Sequence, residues 1–193
     1  MRNLQLGLLA VVLCIVQQKT TIYNYGNEII RLIIKLETWE YEYASTIGIR
    51  RYTNNWGKPD APYYNPLKME DNRTALVAAA IGELAVAKAI NEYWSASIWK
   101  GADHKKYKDL PDVGTNIEVR RVRTQDGPAV REKDLKKEGL VIFGVVPIPK
   151  EFLEVEILGW ILAQEGWDKG IDAQYGKIIP KSILKPTEKW KRK

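Results

Sequence analysis

Hydrophobic positions along the chain fall into blocks with different periods. In DNRTALVAAAIGELAVAKAINEYW, Asp71 to Trp94, the Ala-rich run is a strong helix former, and Asp71 or Asn72 can accept the unpaired amides of a first turn, so this block predicts a helix. Three later blocks are short and rich in β-branched residues: NIEVRRV from Asn116 to Val122, LVIFGVVPI from Leu140 to Ile148, and LEVEILGWI from Leu153 to Ile161. They predict strands, the second closed by Pro147 and Pro149. Upstream, WEYEYASTIGIRRY predicts a short helix, and Pro59, Pro62 and Pro66 mark an irregular connection after it. Ser182 to Leu184 predicts a last short element. A helix followed by a run of strands predicts an α/β (α+β) domain with a small mixed β-sheet flanked by helices.

One apolar block does not fit this scheme. LQLGLLAVVLCIV, Leu4 to Val16, resembles the core of a secretory signal, but QQKTT follows where a small-x-small cleavage site would be needed. It is also shorter than the roughly 20 residues that cross a bilayer. Three readings stand: a membrane-associated segment, a helix packed on the domain, and upstream sequence included by an early start. The expected organisation is residues 1–36 as an apolar amino-terminal segment and residues 37–193 as one domain with a basic tail.

Composition narrows the chemistry. One cysteine (Cys14) and one histidine (His104) nearly exclude disulfides, Cys/His zinc sites and Ser-His or Cys-His catalysis, so a metal here would be a hard cation held by carboxylates. A net charge of +6 biases the surface toward polyanions. The basic residues concentrate at Lys105 to Lys108, Arg120 to Arg123, Lys133 to Lys137 and Lys189 to Lys193, which makes nucleic acid the first partner to consider, beside the plainer reading of a solvated tail.

Two features raise the question of a site. Glu83 has Leu76, Ala79, Ala80, Val86, Ala87 and Ile90 as its neighbours on the helix surface, so an acid stands in the apolar stripe. A buried carboxylate must meet a metal, a cation or a donor; the alternative is a side chain reaching out from the edge of the stripe. The second feature is PDVGTNIEVRRVR, Pro111 to Arg123. If Val113 to Asn116 turn back, Asp112 comes alongside Glu118, and two carboxylates that close repel unless a cation joins them. Strand alternation puts Glu118 and Arg120 on one face and Arg121 and Arg123 on the other. There the arginines either contact phosphate or lie on the surface, paired with Glu154 or Glu156. Trp160 reads as core before it reads as a base-stacking platform, and His104 as an exposed loop residue.

Glu83 on a helix, then Pro111-Asp112, a turn, and Glu118-Val119-Arg120 on a strand resembles the PD-(D/E)XK nuclease superfamily, and most of all its small viral and phage members. The resemblance covers roughly Asn72 to Ile161. It implies a restriction-endonuclease-like core and a metal-dependent nuclease acting on DNA in viral or host DNA processing, inside the cell, in the infected host's cytoplasm for a viral protein. It further implies Mg²⁺ or Mn²⁺ held by Asp112, Glu118 and the Val119 main-chain carbonyl, with Glu83 completing the site directly or through water, and it allows a homodimer. The family's motif lysine is Arg120 here, and arginine cannot act as a base although it can clamp a phosphate. Lys133 or Lys136 could substitute, and with Arg121 and Arg123 they are the expected nucleic-acid contacts. The alternative is a weak or inactive member that binds DNA without cutting it. A third class, a membrane-associated structural protein, would make the carboxylates incidental.

Overall fold

The computed structural model describes residues 20–25, 28–54, 71–98, 110–123, 127–148 and 153–190. Leu4 to Val16, the Pro59 to Pro66 connection, His104, Lys105 to Lys108 and the last three residues of the tail lie outside them. Strands β1 (Thr20–Tyr25) and β2 (Glu28–Lys35) precede helices α1 (Thr38–Asn54) and α2 (Asn72–Ile90). Next come β3 (Ile117–Arg121), β4 (Ala129–Val130), a 3₁₀ turn at Glu132–Lys136, β5 (Val141–Pro147) and β6 (Glu154–Leu162). Helix α3 (Ala163–Lys169), β7 (Ile171–Ala173), β8 (Gly176–Ile178) and 3₁₀ turns at Lys181–Ile183 and Thr187–Lys189 complete the order.

The expected α+β class with a small mixed sheet is what the chain forms. Its main sheet runs β1-β2-β6-β5-β3, antiparallel throughout except for the parallel pair β3 and β5, and a smaller sheet runs β4-β8-β7. The sheet also reaches back across residue 36. Leu32 to Lys35 pair with Ile157 to Glu154, and Ile34 and Leu36 lie in the main core. TTIYNY and EIIRLIIK flank Gly26-Asn27, a hairpin signal overshadowed by the more apolar block before it.

Strand β5 is apolar without alternation because both of its faces are covered. Val141, Phe143 and Val145 point into the main core shared with α1 and α2, while Ile142 points into a second core with Val130, Leu140, Ile161 and Ile179. Strand β6 serves both cores by another device. Its pairing with β5 steps from Gly144 opposite Gly159 to Val145 opposite Ile157, so Leu158 is an extra residue, and Gly159 takes φ +127°. A bulge of this kind reverses which face later residues take. Val155 and Ile157 therefore enter the main core, Ile161 the second, and Trp160 and Leu162 return to the first.

Helix α2 is capped as its sequence suggests: the Asp71 carboxylate accepts from the Thr74 amide at 3.0 Å, and Asn91 closes the other end with φ +53°. Its interior is apolar nearly all round because α1 covers one side and the sheet another. Helix α1 spans 17 residues, longer than its sequence signalled, and buries Glu40, Ala44, Ile47 and Gly48 as one stripe. Gly48 sits where an added Cβ would fall against the Val77 main chain. Gly48→Ala is therefore expected to destabilise by about 1–3 kcal/mol, since forcing two packed backbones apart outweighs the gain in helix propensity. Urea denaturation checks this; a more stable variant would show that the helices can separate freely.

Candidate active site

Two ion pairs tie α1 to α2. Near the start of α1, Glu40 accepts from Lys88 at 2.6 Å and from the Glu37 amide at 2.7 Å. Near its end Arg51 lies three turns after Glu40, so its side chain rises from the same buried stripe. Arg51 grips Glu83 with both amino groups, Nη1 to Oε1 at 2.7 Å and Nη2 to Oε2 at 2.8 Å, while its Nε donates to the Ser97 carbonyl at 2.9 Å. Trp94 Nε1 adds a donor to Glu83 Oε2 at 3.0 Å. The acid in the apolar stripe is thus buried and meets both a cation and a donor.

The segment after Leu110 is pinned against the residues that follow α2. The Asp112 carbonyl accepts from the Ser95 amide, Gly114 donates to the Tyr93 carbonyl, and Val113 bridges Trp94 and Ile117. Gly114, at φ +57°, lets the chain reverse, a backbone state that favours glycine. The expected turn is therefore present, and it returns β3 alongside Asp112. The Asp112 carboxylate accepts from the Val119 amide at 2.8 Å. Burial, then the charges of Glu83 and Glu118, push this carboxyl well above the usual carboxylate range, against the opposing effects of Arg120 and the Val119 amide. Asp112 consequently stands between an acid from α2 and one from β3, each of them paired with cationic side chains.

Glu118 and Arg120 share a face of β3, as alternation requires. Arg120 Nη1 donates to Glu118 Oε2 at 2.8 Å, and Nη2 reaches Asp134 Oδ1 at 3.1 Å. Asp134 is itself buried and accepts from the Arg131 amide at the start of the 3₁₀ turn. The second Glu118 oxygen accepts from Lys137 Nζ at 3.0 Å. The lysine at the acid is thus Lys137, one residue beyond the expected Lys136, whose side chain is exposed. Lys133 is lowered from the ordinary lysine value by partial burial, then by the charges of Arg120 and Arg131. On the other face of the strand, burial and then the charge of Arg123 push Arg121 down to about 10. Trp160 is half-buried against the main core, as expected.

Arg51, Trp94, Asp134 and Lys137 have no role assigned from the sequence. Asp134 and Lys137 lie in REKDLKKEG, where an acid three residues after Arg131 is a turn-capping signal. Arg51 had only its helical spacing from Glu40. Among the described residues no three or more His, Cys, Asp and Glu side chains close into a metal-holding group, and no helix is long and apolar enough to cross a membrane. Comparison of the chain with protein-family models, with curated proteins and with solved structures finds no match.

Proposed function

We propose that this protein is a divalent-metal-dependent nuclease hydrolysing DNA phosphodiester bonds, on a restriction-endonuclease-like core formed by α2 and the strands β3, β5 and β6. The observation that carries the reading is Asp112, held by the Val119 amide between Glu83 and Glu118, where its charge is opposed by two other carboxylates. Although these side chains as they stand do not close into a metal-holding group, buried carboxylates of this kind suit a hard cation, which would relieve the repulsion that burial strengthens. Mg²⁺ or Mn²⁺ held by Asp112, Glu118 and the Val119 carbonyl, with Glu83 behind, would supply a bound water of lowered pKa and neutralise charge on the scissile phosphate. Arg120, always protonated, is the phosphate clamp. Lys137, bonded to Glu118, would orient a water molecule and take the part of the family's lysine. Arg121, Arg123, Lys133 and Lys136 supply further phosphate contacts along a DNA strand.

The test is cleavage of labelled linear, circular and branched DNA by the full chain with Mg²⁺ or Mn²⁺ against EDTA. Products are expected only with metal, and Asp112→Ala should lower the rate at least about 100-fold, since even outer-sphere changes cost 10–100-fold at metal sites. Products that ignore EDTA or persist at full rate in the variant would sink the proposal.

A specific observation favours a second reading, a nucleic-acid-binding member without cleavage. Both oxygens of Glu83 and both of Glu118 are already bonded to cationic side chains. In that case binding should fall steeply with salt and survive Asp112→Ala, because phosphate neutralisation would supply the affinity.

A further inference from the structure

Glu83 and Asp112 differ in how much of their bonding capacity the protein itself has filled. A carboxylate has about four lone-pair sites. Glu83 Oε1 accepts from Arg51 Nη1 at 2.7 Å, and Oε2 accepts from both Arg51 Nη2 at 2.8 Å and Trp94 Nε1 at 3.0 Å. Three of those sites are therefore taken, and the guanidinium lies along the fork that a bidentate ion would need. Arg51 is fixed from behind as well, since its Nε donates to the Ser97 carbonyl at 2.9 Å. Burial lowers the Arg51 pKa, but the charge of Glu83, the hydrogen bonds between the two and then the charge of Asp112 outweigh it and raise it above the ordinary value. The guanidinium thus stands within electrostatic reach of both acids.

Asp112 is in the opposite condition. Among the described residues its carboxylate accepts one hydrogen bond, at Oδ2 from the Val119 amide. That amide belongs to the open edge of β3. The Asn116 carbonyl and the Val122 amide bond toward β5, so by alternation Val119 turns its N–H and its C=O together away from β5, toward Asp112. An uncommitted carboxylate oxygen and a main-chain carbonyl therefore share one side of the turn. We propose that Arg51 stands where a two-metal site would place its second cation, so that the protein binds one divalent ion, on Asp112, Glu118 and the Val119 carbonyl, and Glu83 is not among its ligands. Two-metal nuclease sites set their ions about 3.5–4 Å apart, and an acid between them must offer lone pairs to both. A divalent ion taking Glu83 would leave beside it a guanidinium that cannot lose its charge, buried and without its partner, and repulsion and desolvation both oppose that. This assignment rests on the nuclease reading for the metal. It makes Arg51 a positioning residue, which holds Glu83, adds a fixed positive charge beside Asp112 and binds no substrate.

The experiment counts Mn²⁺ on the full chain, freed of metal and then titrated while the electron paramagnetic resonance signal of unbound Mn²⁺ is followed. Wild type is expected to bind one ion per chain, with the six-line frozen spectrum of an isolated Mn²⁺. Arg51→Met, which releases Glu83 from the guanidinium, is expected to bind two, with the exchange-split spectrum of a close pair. Arg51→Met combined with Glu83→Leu is expected to return to one. An arginine that served stability alone would leave the count at one in all three proteins. Two ions on wild type, or one on a folded Arg51→Met, overturns the proposal. If Arg51→Met does not fold, the double variant decides: one ion supports the assignment, while none makes Glu83 a ligand the site cannot lack and overturns it. Cleavage of labelled DNA with Mn²⁺ separates the nuclease reading. Two ions on a wild type that cleaves leave that reading standing and overturn this inference alone. One ion on a wild type that does not cleave supports the single-ion site and removes the nuclease, and no ion on wild type removes both.

Discussion

Arg51→Ala is expected to lower the free energy of unfolding by about 3–5 kcal/mol, the loss typical when one partner of a buried ion pair is removed. The pair merits the full figure because both members are enclosed, with side-chain exposures of 11% for Arg51 and 7% for Glu83. Alanine would leave Glu83 leaning on the Trp94 indole inside an apolar helix face. The companion variant makes the origin plain. Replacing both residues, Arg51→Met with Glu83→Leu, removes the buried charges together and is expected to cost far less than Arg51→Ala alone. Urea denaturation of the single and double variants measures the coupling directly. A loss below about 1 kcal/mol for Arg51→Ala would show that Glu83 is not held by the arginine and is satisfied another way.

That pair also marks how far the sequence could be read. The acid in the apolar stripe of α2 identifies Glu83 as needing a partner, because helical spacing is local and Glu83 carries its own neighbours with it. The partner lies 32 residues away on another helix, across a connection whose length says nothing about register. Asp112 and Glu118 were legible for the opposite reason: only six positions apart, with a glycine between, they are joined by a turn whose geometry is short-range. Lys137 shows the limit within one motif. REKDLKKEG offers three lysines and three acids, but whether they wind as an α-helix or a 3₁₀ turn decides which lysine faces the strand. That winding is set by Asp134 reaching both the Arg131 amide and Arg120. The β-bulge at Leu158 was hidden in the same way. LEVEILGWI alternates plausibly on either face, and only pairing with β5 shows where the alternation reverses. The two amino-terminal strands carried their own signal in β-branched runs around Gly26-Asn27.

The largest functional effect should come from a change that strengthens the fold. Asp112→Asn keeps a side-chain oxygen for the Val119 amide but removes a charge that burial, Glu83 and Glu118 all oppose. The sign follows from linkage. A carboxyl whose folded pKa lies above its unfolded one favours the folded state while protonated, and that contribution disappears as pH rises through the folded value. At neutral pH, above the ordinary carboxylate range, wild-type protein without metal therefore bears the cost of that raised pKa, and the asparagine variant does not. Asp112→Asn is expected to be the more stable of the two at pH 7, with the difference shrinking as pH falls toward the unfolded carboxylate value. Metal should act in the reverse sense on the two proteins. Added at about 100 times its dissociation constant, Mg²⁺ or Mn²⁺ should stabilise the wild type by about 2.7 kcal/mol, because a ligand that binds only the folded state draws the equilibrium toward it. The variant should gain little and cleave at least about 100-fold more slowly. Thermal unfolding of both proteins at two pH values, with and without metal, measures the stability changes, and DNA cleavage by both measures the rate. A variant less stable than wild type at pH 7 would mean that Asp112 is satisfied by its neighbours rather than opposed by them. Equal metal stabilisation of both proteins would place the cation somewhere other than Asp112.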